Sequence, residues 1–302
     1  METVCTSILN PDDFSENVDY NQKEYPLYIR KGFLSHYPNY SAISHWHEDL
    51  EFIVILSGHM TYNVNGELTE LEAGNGILVN SRQFHHGFSF SHEECEFICI
   101  LLHPLLLCVN EYFESHYISP VISNTEQPYL PLSRQIPWHR EILELLEEIY
   151  QCSVQGFDIL SIQQMVFTLW VPLYRHFPHA QGVPARQNSQ LTAVKKMVSF
   201  IQRHYSEPLS LDKIAGSGNV SRSGCSSLFR KYLSQSPVTY LTGYRLNKSL
   251  ELLLGTDLSV MEIGLEVGFN NASYYSETFK KYYGCTPMEY RKSQRLAHCP
   301  RK

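Results

Sequence analysis

Residues 259–291 read SVMEIGLEVGFNNASYYSETFKKYYGCTPMEYR, and their local signals define two helices joined by a tight turn. Ser259, followed three residues later by Glu262, has the form of a capping box, in which each side chain accepts from a free backbone amide of the other residue. That opens a helix predicted to stop near Gly268. Asn271 is placed to cap a second helix, Ala272–Tyr283, because its side-chain oxygen can accept from the first exposed N–H groups. Gly284 is placed to end it. Tyr275 and Phe279 recur at helical spacing and read as core, whereas Lys280 and Lys281 fall late in the helix on a solvent face.

The same order of signals occurs upstream. Ser210 can cap Leu211–Ala215, Ser221 can cap Arg222–Tyr232, and the capped helix again closes on a basic pair, Arg230-Lys231. Between the two sets lies a longer apolar helix, Pro237–Leu254, carrying Val238, Leu241, Tyr244, Leu246, Leu250 and Leu253. A short helix, a tight turn and a capped basic helix therefore occur twice, which describes two helix-turn-helix units in tandem.

Charge divides the chain in the same place. The 302 residues carry a net charge of −7. From residue 184 onward there are 17 Lys and Arg against 8 Asp and Glu, a balance of +9, and residues 1–183 hold −16. A basic half of this kind suits a polyanion, and the acidic half would be repelled by it. The polar stretch QGVPARQNSQ, residues 181–190, reads as a linker. It separates an N-terminal unit, 1–180, from a C-terminal one, 191–293, in keeping with roughly 150 residues per domain.

With 43% hydrophobic and 18% charged residues, the composition is that of a globular protein. No apolar run approaches the ~18 residues of a membrane span, so no membrane partner is expected. The opening residues METVCTSILNPDDF lack the basic and apolar regions of a signal peptide. Eight cysteines without a C-x-x-C pair read as free thiols. A cytoplasmic location is the expectation.

The N-terminal half changes period partway along. Leu50–Leu56, His59–Val64, Glu67–Leu71, Ile77–Val79 and Phe97–Leu102 read as strands, and Asn65-Gly66 between two of them is a strong hairpin signal. Many short strands with Gly-bearing turns predict a β-sandwich or barrel. After about residue 135, Trp138, Ile142, Leu145, Leu146 and Ile149 recur at helical spacing. A second helix, Ile159–Trp170, is predicted to end or kink before Pro172.

Within the strands, His45-Trp46-His47 is followed by Glu51 and Gly58, and Gly74 leads to His85. On alternating strand geometry His45 and His47 share one face, while Trp46 points away from it. The spacing resembles the two cupin motifs, HxHxxxExxxxxxG and a later Gly…His element. Asn80, Arg82 and Ser89 depart from the second. In metal-binding cupins the residues matching His45, His47, Glu51 and His85 hold one divalent ion, and such a set suits Zn, Fe, Mn or Ni. Cupin-like sensors keep these residues as the floor of a small-molecule pocket without metal. The sensor reading is favoured, with no cofactor: His45, His47, Glu51, His85 and nearby Tyr62 contact a small polar effector such as a sugar. The rival is a metal-dependent oxygenase or isomerase with a helical appendage, which leaves the basic half without a role.

From about residue 191 to 293, Leu211…Ile214-Ala215, Leu228-Phe229-Arg230-Lys231-Tyr232, Gly268-Phe269-Asn270-Asn271, Phe279-Lys280-Lys281 and Thr286-Pro287…Tyr290-Arg291 resemble the AraC/XylS family of bacterial transcription regulators. The resemblance implies two recognition helices entering successive major-groove segments of double-stranded DNA. The first would present Arg222, Ser223, Ser226 and Ser227. The second would present Asn271, Ala272, Ser273, Ser276 and Glu277. Arg230, Lys231, Lys280 and Lys281 are expected to reach phosphates. Glu277 stands where Arg is common, so bidentate guanine reading is lost from the second helix. The implied protein is a regulator and no enzyme, a homodimer joined through helices 138–177, meeting RNA polymerase if it activates. Its fold class would be α+β: a cupin-like β-barrel with a helical hairpin, then an all-α tandem helix-turn-helix domain.

Overall fold

The computed structural model describes residues 8–9, 16–178, 189–233 and 235–297. Strands come first: β1 (Ile8–Leu9), β2 (Glu16–Asn17), β3 (Leu27–Phe33), β4 (Leu50–Ser57), β5 (His59–Val64), β6 (Glu67–Glu72), β7 (Gly76–Val79), β8 (His85–Phe88), β9 (Glu96–Leu102) and β10 (Tyr129–Leu132). Five of them form an antiparallel sheet in the order β10-β7-β4-β9-β3, and three form a second in the order β6-β5-β8. Isolated bridges Ser41↔Phe88 and His45↔His85 run the segment before β4 alongside β8. Asn65 and Gly66 close the β5–β6 hairpin with φ of 53° and 93°, the two positive values that a type I′ turn needs.

The apolar run of β4, interrupted by Glu51, follows from burial on both faces. Ile53 and Ile55 point inward with Met60, Tyr62, Val79 and Phe97. Leu50, Phe52 and Val54 point outward, under α3 (Pro137–Gln155) and α4 (Ile159–His176). Two short helical turns, α1 (Glu111–Phe113) and α2 (Ser119–Ile122), precede that pair. Of the expected end or kink before Pro172, the end does not occur, because α4 runs through it to His176. Leu169, Trp170, Leu173 and Phe177 are all buried around it, and four apolar side chains, each worth about 1.5–3 kcal/mol on burial, offset the ~3 kcal/mol that an internal proline costs.

The expected linker over 181–190 lies outside the described residues except for Ser189 and Gln190, which instead open α5 (Ser189–His204). Then come α6 (Leu211–Ser217), α7 (Arg222–Leu233), α8 (Pro237–Gly255), α9 (Val260–Glu266), α10 (Ala272–Tyr283) and α11 (Pro287–Ala297). The caps are those the sequence predicts. Ser210 accepts from the Lys213 amide, the Ser259–Glu262 box is closed in both directions, and Asn271 accepts from the amides of Ser273 and Tyr274.

Two half-buried guanidinium clamps hold the helical units together. Arg245 on α8 donates to the carbonyls of Tyr205 (2.6 Å) and Glu207 (2.8 Å), just after α5. Arg291 donates to those of Leu253 (2.9 Å) and Leu258 (2.7 Å), where α8 ends. Gly268, at φ 90°, sits so close to the Tyr205 carbonyl and Arg245 that no side chain fits. Both arginines thus satisfy helix-end carbonyls and fix the spacing of the two turns.

Candidate effector pocket and DNA-contacting helices

The barrel encloses a cavity of about 360 Å³, at the small end of ligand-pocket sizes. Glu51 from β4, Tyr62 from β5 and His45 line it, as the sequence predicts. Tyr28 and Arg30 from β3, with Cys99 from β9, line it too and were not anticipated. Alternation along β3 was the available signal: Leu27 and Ile29 pack under the helices, which turns Tyr28 and Arg30 the other way. His47 and His85 do not line the cavity. They are 2% and 1% exposed and stand behind the Glu51 carboxylate, their Nε2 atoms 3.6 and 3.4 Å from Glu51 Oε2.

Each of the three histidines is oriented through its other ring nitrogen. Nδ1 of His45 lies 2.8 Å from the Ile43 carbonyl, that of His47 3.1 Å from Asp49, and that of His85 2.9 Å from Gln83. Carbonyls only accept, so every Nδ1 carries a proton; the Nε2 atoms of His47 and His85 face Glu51, while that of His45 lies 3.1 Å from Glu16 Oε2. Burial disfavours charge on His47, yet the attraction of the Glu51 carboxylate beside it outweighs burial and raises its pKa. Burial likewise works against the Glu51 anion, but His85 and His47 hold its pKa well below the usual carboxylate range. His85 is lowered, chiefly by burial, and His86 is pushed down to about 3 by burial and the neighbouring His45 and His85. The cluster therefore favours charge on His47 and Glu51 together and disfavours it on His85. Tyr62, raised by burial and by Glu51, remains a neutral phenol donating to Glu51 Oε1.

The same four donors fit a divalent ion. One ligand atom from each of His45, His47, Glu51 and His85 lies within 4.8 Å of the others. The Nε2 atoms of His47 and His85 have no hydrogen-bond partner among the described residues, and Nδ1–carbonyl bonds are the usual way of aiming metal-binding imidazoles. An ion held there would act as a Lewis acid toward an oxygen ligand in the cavity.

In the helical half, Arg222, Ser223, Ser227, Arg230 and Lys231 of α7 are exposed, with Ser226 half-buried. Arg222 is paired with Asp212 of α6, and Lys231 reaches Gln190 at 2.9 Å. On α10, Ser273, Glu277, Lys280 and Lys281 are exposed, and Ala272 and Ser276 are half-buried. Asn271 spends its side-chain oxygen on the cap. Tyr274, 57% exposed, was not anticipated as a surface residue. It lies at i, i+3 and i+7 with Glu277 and Lys281, on one stripe of the helix. Phe229, Tyr275 and Phe279 are fully buried, as their spacing predicts. No described helix is long and apolar enough to cross a membrane.

Comparison with known proteins agrees with both halves. Residues 34–101 match the cupin domain family, and residues 214–293 match a helix-turn-helix domain family. The chain is 28% identical to the HTH-type transcriptional regulator YdeC of Bacillus subtilis, over 93% of this chain and 96% of that one. It is 24% identical to the melibiose operon regulatory protein of Escherichia coli K12, over 94% and 96%. Among solved structures, an AraC-type DNA-binding domain protein from Chromobacterium violaceum is 35% identical, covering 36% of this chain and 96% of that one with a TM-score of 0.34. With regulators rather than enzymes as its full-length relatives, the chain belongs to the AraC family of DNA-binding transcription regulators, carrying a cupin-like domain ahead of its helix-turn-helix domain.

Proposed function

We propose that this regulator is controlled by a small polar effector, such as a sugar, held in the barrel cavity. The observation that carries the reading is Glu51: a buried anion on the cavity wall, fixed by Tyr62 from one side and by His47 and His85 from behind. A carboxylate so oriented accepts hydrogen bonds from hydroxyls, and Tyr28 and Tyr62 offer ring faces and further hydroxyls beside it. His45, Glu51 and Tyr62 touch the effector directly, and His47 and His85 act by positioning Glu51. The full-length relative named for the melibiose operon agrees with a sugar. An occupant alters regulation only by binding two arrangements of the DNA-binding half with different affinity.

On DNA, Arg222, Ser223, Ser226 and Ser227 read the first groove segment, and Asn271, Ala272, Ser273, Ser276 and Glu277 read the second. Arg230, Lys231, Lys280 and Lys281 meet phosphates on either side. The chain acts as a homodimer joined through α3 and α4, and contacts RNA polymerase where it activates.

Thermal shift of the full chain against a sugar and metabolite library tests the effector reading. At a hundred times its Kd a ligand stabilises by about 2.7 kcal/mol, a readily measured shift. Glu51→Gln, close to isosteric, is expected to abolish that shift while the protein stays folded and binds DNA. The purified chain is expected to carry less than one metal ion per chain. One tightly bound iron or zinc, lost in both His47→Ala and Glu51→Gln, would replace the metal-free reading.

A further inference from the structure

Two aromatic residues of the barrel are buried by the DNA-binding half. Trp46 is 6% exposed and Phe84 fully buried, and both belong to the apolar cluster of Val194, Met197 and Ile201 on α5 with Phe229 and Tyr232 on α7. Lys195 of α5 sets its ammonium 3.9 Å from the centre of a Trp46 ring, a cation–π contact. The Asn65-Gly66 hairpin tip is seated just as closely, since a Cβ on Gly66 would collide with the Lys231 carbonyl near the end of α7.

Where these aromatics lie in the chain gives the contact its meaning. Trp46 sits between His45 and His47, Phe84 precedes His85, and the His45↔His85 bridge joins the two stretches. Neighbouring residues of an extended strand face opposite sides. Each stretch therefore shows imidazole to the Glu51 cluster and an aromatic ring to the first helix-turn-helix unit.

We propose that Trp46 and Phe84 form a latch that docks the DNA-binding half on the barrel and opens when the histidine-bearing strands shift. The docked form is the weaker DNA binder. It keeps the half of charge −16 against the half of charge +9, and the acidic half repels phosphates approaching the basic one. It also seats the hairpin tip beside Lys231, on the helix that carries the first set of DNA contacts. The indole N–H of Trp46 meets no acceptor among the described residues, and an unmet buried donor weakens a contact, as suits one that releases. Asn247 of α8 lines the cavity and the Pro38–Tyr40 turn touches α10, so undocking also takes a wall residue from the cavity. Control of the latch by a cavity occupant rests on the effector reading above; the latch itself does not.

The test needs no effector. Full-length chain and its Trp46→Ala variant are compared by amide hydrogen exchange, and by fluorescence anisotropy with a labelled duplex of random sequence. Trp46→Ala is expected to speed exchange in α5 and α7, leave β4 and β9 unchanged, and raise affinity roughly 5–10-fold, within the usual span of coupling between sites. Lys195→Met, which removes the cation over Trp46, is expected to move affinity the same way, although loss of a positive charge alone would weaken DNA binding. Unchanged exchange, faster exchange confined to the barrel, or affinity that stays level or falls would overturn the latch. A library that yields no ligand would count against the effector reading and leave these outcomes as they are.

Discussion

Phe279→Ala is expected to unfold the second helix-turn-helix unit and to abolish DNA binding with it. The ring is fully buried and packs against Tyr275, Tyr283 and Tyr290 at centroid distances of 5.8, 4.5 and 5.9 Å. Around that aromatic group lie Leu246, Leu250 and Leu253 of α8 and Ile263 of α9. Truncation removes a ring that joins α10 to α11 through Tyr290, and the clamped backbone has little room to collapse into the space. Removing a buried Phe in this way costs about 3–5 kcal/mol, a large share of the 5–15 kcal/mol that holds a typical domain. Circular dichroism and hydrogen exchange on the full chain give the readout, with loss expected in α9–α11 and not in the barrel. A variant that keeps its helical signal and its exchange protection, losing only sequence preference, would show that Phe279 faces DNA instead of the core.

Why that ring was legible from the sequence, and other features were not, is a matter of range. The capping residues Ser210, Ser259 and Asn271 act within three residues, and the Asn65-Gly66 turn within four, so each signal is complete in its own neighbourhood. Alternation placed His45 and His47 on one face and Trp46 on the other by the same local rule. What local rules lack is the partner across space. Arg30 and Ile53 both pair with Cys99, from opposite sides of β9, and only that long-range register brings β3 to the cavity wall. Likewise, the period of the strand says that Trp46 leaves the barrel interior, but not that α5 receives it. His47 and His85 share the face of Glu51 as their spacing implies, yet depth within the barrel puts them behind it. Pro172 shows the reverse case, where a strong local signal for a helix end yields to the burial of the residues around it.

Steep salt dependence is the second large effect, and it follows from the exposed cations of α7 and α10. Arg230, Lys231, Lys280 and Lys281 are exposed, in matching late positions of their helices. Each phosphate neutralised releases condensed counterions, so log K falls with log salt at about 0.9 per contact. If about six phosphates are met, the slope for the full chain on a duplex carrying its selected site is expected near −5, roughly a thousandfold loss between 50 and 200 mM. Lys280→Ala combined with Lys281→Ala is expected to make the slope shallower by about 2 and to weaken binding on all sequences alike. Glu277→Ala, on the same helix, is expected to leave the slope nearly unchanged and to alter preference at one base pair, since a carboxylate in the groove accepts from a cytosine amino group and adds no phosphate contact. Titration of a labelled duplex at several salt concentrations checks all three. Affinity that stays level across that range would mean that the basic half does not meet the DNA backbone.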